Sequence, residues 1–386
     1  MLALVCVVVL AINLRPPAIA IAPVLGDIRA DLGLNGVLAG LLTTLPLLCF
    51  AGFGSVAAAL AARIGLHRTA LAALVAMAVG QAVRVAVPQV AVFLLATVVA
   101  LGGMAVGNVL LPSIVRRHFP DRIGLVTGVY SLVLGTGVAL ASLLSAPVAG
   151  ASGSWRWALA IWIGTAALAA LPWAGISRHD VHQQTEHAAI RLGQVARTRL
   201  GWVMALFFAV QSFHAYSVFG WLPTIYADAG LSDARAGLML TITTGLGLPL
   251  AFWVPHYVAT ARRPQWLLVV IPSAALTAFF GLMLAPAAAP WLWAMLLCVG
   301  LSGFPAYLSL VGMRARTPSG TAALSGFSQS VGYLFAGIGP FLMGVLSEAT
   351  EGWHAPLAVL VALCPALGVL GWLAARPVYL EDQLTR

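Results

Sequence analysis

The chain has 386 residues, of which 61% are hydrophobic and only 8% charged. That balance leaves too little polar surface to clothe a soluble globule of this size, and it reads as a polytopic membrane protein. The net charge of +9 is carried by arginine alone, since lysine is absent, and its placement reads as a topology signal, with no nucleic-acid partner implied.

Apolar runs long enough to cross about 30 Å of hydrocarbon lie at 2–24, 36–61, 69–87, 90–113, 124–147, 154–175, 200–226, 234–258, 265–286, 290–313, 319–346 and 353–375. The first carries the most informative residue. Arg15 interrupts an otherwise uncharged stretch and is followed at once by Pro16 and Pro17. From Arg15 to the ends of such a helix is about 13 to 20 Å at 1.5 Å per residue, whereas a snorkelling stem reaches about 6 Å. The guanidinium therefore stays at depth, where an ionisable group faces a bundle interior or wet cavity and marks a substrate path. Neither proline supplies an N–H, so the carbonyls of Ile12 and Asn13 lose their usual donors beside it. The competing reading is a brace against a neighbouring helix.

Arg84 lies close to the outer end of the third run and is read as snorkelling there in a structural role. The glycines of the third to fifth runs, Gly102, Gly103, Gly124, Gly128, Gly135 and Gly137, read as packing positions that let helices approach closely. Between the sixth and seventh runs, the stretch from Ser177 to Arg199 is the longest polar segment and reads as a cytoplasmic linker. His179, His182 and His187 within it lack metal-ligand spacing. Cys6, Cys49, Cys298 and Cys364 fall inside apolar runs and read as small core residues.

Counting loops alternately places Arg63, Arg68, Arg116, Arg117, Arg122, Arg178, Arg191, Arg197, Arg199, Arg262, Arg263, Arg314, Arg316, Arg376 and Arg386 on one side, against Arg29, Arg156 and Arg235 on the other. The positive-inside rule puts both termini in the cytoplasm. The halves repeat: Gly33-Leu34-Asn35 then Ala39-Gly40-Leu41 match Gly230-Leu231-Ser232 then Ala236-Gly237-Leu238, and Gly128 before Tyr130-Ser131 matches Gly326 before Ser328-Gln329. The expected fold is an all-α membrane protein with twelve transmembrane helices in two six-helix pseudo-symmetric bundles. Residues 1–175 form the N-terminal bundle, 176–199 the linker and 200–386 the C-terminal bundle. A substrate site is expected near the midplane between the bundles.

All eleven acids fall in loops, at span ends or in the tail. No carboxylate is thus available at mid-membrane, and a transporter driven by an embedded acid is disfavoured. The strong central charge is positive, so a small anionic or electron-rich solute is its complement, held by the planar donor fork of Arg15. Asn13, Gln81, Gln211, Ser212, His214, Tyr216, Gln329 and Tyr333 lie near that depth, with Asn108, Tyr130 and Tyr307 nearer the cytoplasmic ends. The candidate substrate-binding set is Arg15, Asn13, Gln211, His214, Asn108, Tyr130, Tyr307, Gln329 and Tyr333. His214 is also the candidate for proton coupling. An embedded enzyme needs a nucleophile and base, or clustered ligands, at one depth, and a channel needs rings of like residues; neither pattern occurs.

The chain resembles the major facilitator superfamily and, within it, the cyanate permease and nitroimidazole transporter group. The resemblance runs through Asn13-Leu14-Arg15-Pro16, Leu42-Thr43-Thr44-Leu45-Pro46, Ala78-Val79-Gly80 with Arg84, Pro112-Ser113-Ile114-Val115-Arg116-Arg117, Gln211-Ser212 and Trp221-Leu222-Pro223-Thr224. The superfamily's loop signature survives in part as Leu60 to Arg68, with Ala62 where the family carries an acid that helps latch the cytoplasmic side. The resemblance implies alternating access, a site lined by the first, fourth, seventh and tenth spans, and a substrate such as cyanate, another small anion or a nitroaromatic. The expectation is an inner-membrane transporter, secondary active or facilitative, with a small-drug efflux pump as the alternative. Its partners are a small-molecule substrate and the bilayer; it is expected to be a monomer, with no cofactor and no metal.

Overall fold

A computed structural model describes residues 2–178 and 190–384. Among them twelve helical spans are long and apolar enough to cross a membrane: Leu2–Leu32, Thr44–Ile64, Leu66–Ala86, Val90–His118, Pro120–Ser152, Trp155–Ser177, Arg199–Asp228, Arg235–Thr260, Pro264–Leu284, Pro290–Met313, Pro318–Ala349 and His354–Ala374. His179, His182 and His187 lie outside the described residues. Helices suit such spans because they satisfy most backbone polar groups within the segment.

The first span is broken where its sequence requires. Its opening helix, Leu2–Asn13, stops before Leu14 and Arg15, and a short helix restarts on Pro16–Ile19. Proline fits the first turn of a helix, where its missing N–H is not needed. The tenth span is also split, into Pro290–Gly300 and Gly303–Met313, with Leu301 and Ser302 between them. The seventh, Arg199–Asp228, is continuous, and Thr198 caps it by accepting from the Gly201 N–H at 3.0 Å.

The duplication reappears as a pair of equivalent bonds. Trp155, opening the sixth span, donates its indole N–H to Asp31 at 3.0 Å, and Trp353, just ahead of the twelfth, donates to Asp228 at 2.8 Å. Each bond ties the last span of a bundle to the end of its first, away from the arginine-rich end.

At the arginine-rich end the two bundles are locked together. Ser113 Oγ donates to the Pro318 carbonyl at 2.6 Å, Arg116 to the Arg316 carbonyl at 3.3 Å, and Asn108 to Gln329 at 2.7 Å. The fifth and eighth spans touch backbone to backbone. A Cβ on Gly128 would lie 2.5 Å from the Phe252 carbonyl oxygen, and one on Gly124 would lie 2.8 Å from that of Pro255. Glycine alone permits such an approach, which realises the packing role expected of these residues. The described loop between the second and third spans turns at Gly65, whose φ of +96° favours glycine.

The four cysteines are buried, as expected of core residues. Arg84 departs from its expectation. It is fully buried and does not snorkel: Nη1 donates to the Pro17 carbonyl at 2.9 Å and Nη2 reaches Gln81 Oε1 at 3.5 Å. The restarted segment of the first span brings a carbonyl to it, so the cation is satisfied inside the bundle.

Candidate functional site

The break in the first span sets the site. Arg15 leaves the helix with φ −128° and ψ −41° and stays partly exposed. Its Nη1 donates to the Leu14 carbonyl at 3.3 Å, and among the described residues no carboxylate pairs with it. Most of its donor fork is therefore uncommitted.

Aromatic rings close around it. The guanidinium carbon lies 6.0 Å from the centroid of Phe50 in the second span and 5.6 Å from that of Phe304, directly after the break in the tenth. Phe50 stacks on Tyr333 at 4.4 Å, Tyr333 meets Phe208 edge to face at 4.8 Å, and Phe208 lies 6.0 Å from Phe304. Arg15, Phe50, Tyr333, Phe208 and Phe304 thus form a closed circuit drawn from the first, second, eleventh, seventh and tenth spans. Tyr307 joins it through Phe208 at 4.6 Å, and Tyr216 through Tyr333 at 6.4 Å.

Arg15, Tyr216 and Phe304 all keep some exposure. The contacts above close the arginine-rich end. Among the described residues no hydrogen bond takes up the hydroxyls of Tyr216 and Tyr333, which leaves both free to meet a solute.

The remaining expected residues divide. Gln329 lies one helical turn from Tyr333, accepts from Asn108 and donates to Ser325 Oγ at 2.8 Å, so the Asn108–Gln329 pair crosses between bundles on the arginine-rich side of the rings. Tyr307 shares a hydrogen bond with Ser328 at 2.5 Å. The Tyr130 hydroxyl is buried without a partner among the described residues.

Asn13, Gln211 and His214 serve other contacts. Asn13 is buried against the sixth span, accepting from Thr165 Oγ1 at 2.8 Å and donating to the Val9 carbonyl at 2.8 Å. Gln211 donates to Leu301 O at 3.1 Å and so bonds one of the carbonyls freed by the break in the tenth span. His214 turns away from the circuit: Nε2 meets the Leu360 carbonyl at 3.0 Å in the twelfth span, and the ring lies 5.2 Å from Phe279 in the ninth. Phe50, Phe208 and Phe304 were not singled out in the sequence, where a phenylalanine in an apolar run looks like any core or lipid-facing residue. Among the described residues no group of three or more His, Cys, Asp or Glu could hold a metal ion.

Residues 2–336 match the family model for the Major Facilitator Superfamily. The 2-nitroimidazole transporter of Escherichia coli (strain K12) is 35% identical over 96% of this chain and 94% of its own. The cyanate transport protein CynX of the same organism is 29% identical, covering 91% of each. Among solved structures, the proton:xylose symporter XylE bound to 6-bromo-6-deoxy-D-glucose superposes with a TM-score of 0.79 at 14% identity, over 100% of this chain and 98% of that one.

Proposed function

Because this chain belongs to the Major Facilitator Superfamily of transporters, we propose that it carries a small anionic or electron-rich solute by alternating access, with Arg15 as the anchor. The observation that carries this reading is the uncommitted, partly exposed guanidinium at the break of the first span. A planar fork of donors in surroundings of low polarity binds an oxyanion or nitro group in two-point fashion. The relatives named for nitroimidazole and cyanate transport support a solute of this size and polarity. We place the chain in the inner membrane with the arginine-rich end in the cytoplasm, so the arrangement described faces outward.

In this mechanism a solute enters from the open end, meets Arg15 and bridges the bundles through the rings of the second, seventh, tenth and eleventh spans. Rocking of one bundle against the other then separates the contacts at the arginine-rich end and releases it. The residue boundaries 1–175, 176–199 and 200–386 define the two moving bodies and their linker. The test is Arg15→Lys. It keeps the charge but not the fork, and uptake of anions into proteoliposomes should fall to background while the protein still reaches the membrane. Normal uptake with merely reduced thermal stability would return Arg15 to a bracing role.

A further inference from the structure

We infer that the solute is an aromatic monocarboxylate, a flat conjugated ring bearing one carboxylate, and that Phe304 and Tyr216 set this preference. The inference rests on Arg15 being the anchor proposed above.

The charge comes first. Among the described residues Arg15 has no carboxylate partner, and its hydrogen bond is to one backbone carbonyl. A neutral solute leaves that cation uncompensated, whereas a single carboxylate neutralises it and matches the fork with two coplanar oxygens. A second negative charge would find no further cation in the circuit.

Shape follows from what surrounds the fork. Phe50 and Phe304 flank the guanidinium at 6.0 and 5.6 Å, and Tyr333 and Phe208 complete the circuit behind them. Small linear or triangular anions have no apolar face to lay against these rings. In this enclosure they would lose water and regain only the bonds to Arg15. A ring attached to the carboxylate keeps its charge at the fork and lays its apolar face against aromatic surface, where aromatic pairs hold offset-stacked or edge-to-face geometry. Phe304 and Tyr216 are the partly exposed rings of this group, while Phe50, Phe208 and Tyr333 are buried. The free hydroxyls of Tyr216 and Tyr333 offer hydrogen bonds to a polar ring substituent.

The test compares benzoate, cyclohexanecarboxylate, cyanate and 2-nitroimidazole by ligand-induced thermal stabilisation of the full chain in detergent. Benzoate and cyclohexanecarboxylate share the carboxylate and nearly the same size but differ in flatness. Benzoate should bind at least about tenfold more tightly than cyclohexanecarboxylate and cyanate, since two aromatic contacts together correspond to about that factor, and more tightly than 2-nitroimidazole, which brings a ring but no carboxylate to Arg15. Phe304→Leu, which keeps apolar bulk, should reduce the preference for benzoate over cyclohexanecarboxylate to about threefold or less, because benzoate loses more than cyclohexanecarboxylate does. Tyr216→Leu should act in the same direction, which keeps the test valid if Phe304→Leu folds poorly.

Equal binding of cyclohexanecarboxylate or cyanate, tighter binding of 2-nitroimidazole, or an equal loss for all ligands in both leucine variants overturns the inference. The anchor is tested separately by Arg15→Gln, which should abolish binding of both carboxylates. Retention of ring discrimination in Arg15→Gln defeats the anchor. Loss of both carboxylates without any ring preference in the wild type defeats only the ring assignment. No stabilisation by any of the four ligands defeats both.

Discussion

Asn108 donates its amide to Gln329 Oε1 at 2.7 Å, a buried bond between the fourth and eleventh spans and so between the two bundles. In the proposed cycle, opening the arginine-rich end breaks it. In the closed arrangement Asn108→Ala leaves the Gln329 oxygen dry and unpaired, at a cost of about 1–3 kcal/mol, whereas in the open arrangement water can replace the lost donor. The substitution should therefore favour opening by about 5- to 150-fold. A cysteine placed at Ser319, beside the gate and in a background freed of native cysteines, should be labelled at least about fivefold faster when Asn108 is alanine. An unchanged labelling rate would show that the bond does not control the gate.

Gly128 faces the backbone of the eighth span, where an added Cβ would lie 2.5 Å from the Phe252 carbonyl oxygen. Backbone cannot yield as a side-chain tip can, so a larger residue forces the fifth and eighth spans apart. Gly128→Val should insert into the membrane in normal amount yet lose transport, because the closed arrangement of the arginine-rich end becomes inaccessible. Uptake at the wild-type rate would contradict this contact as a requirement of the cycle.

Much of this was legible in the sequence because single residues declare it. Arg15-Pro16-Pro17 announces both the break and the cation at depth, since two consecutive prolines cannot continue the ladder of the helix before them and no guanidinium is left at depth without a reason. The offset between the halves is likewise visible, and it returns as the paired bonds Trp155 to Asp31 and Trp353 to Asp228. What stayed hidden depends on side-chain direction around continuous helices. Gln211, Ser212 and His214 lie within one turn, so depth alone assigns them together. In the fold Gln211 meets the break of the tenth span while His214 points to the twelfth. The ring circuit was hidden for a related reason, since Phe50, Phe208 and Phe304 become neighbours only when five spans converge.

His214 gives a prediction on energy coupling. A carbonyl accepts, so Nε2 carries the proton toward Leu360, and Nδ1 is buried with no partner among the described residues. A proton added at Nδ1 would find no acceptor among the described residues. His214→Gln, which can keep a donor toward Leu360, should leave the dependence of uptake on an imposed pH gradient as it is in the wild type. Loss of an acceleration seen in the wild type, with exchange at equal pH intact, would identify His214 as the coupling residue.

The tail beyond the twelfth span shapes the gate from below. Glu381 accepts from the N–H groups of Arg316 and Thr317 at 2.9 and 3.0 Å and from the Thr317 hydroxyl at 2.8 Å, at the start of the eleventh span. A carboxylate there satisfies otherwise unpaired donors and complements the positive helix end. The same loop presents the Arg316 and Pro318 carbonyls to Arg116 and Ser113 of the other bundle. Glu381→Ala removes an acceptor with three bonds, a loss comparable to a missing helix cap at about 0.5–2 kcal/mol, and frees the loop that the fourth span grips. Labelling of the cysteine at Ser319 should rise by about 2- to 30-fold, and Glu381→Gln, which keeps one acceptor oxygen, should fall between the two. Should Glu381→Ala lower the melting temperature while labelling stays at the wild-type rate, the tail stabilises the fold without acting on the gate.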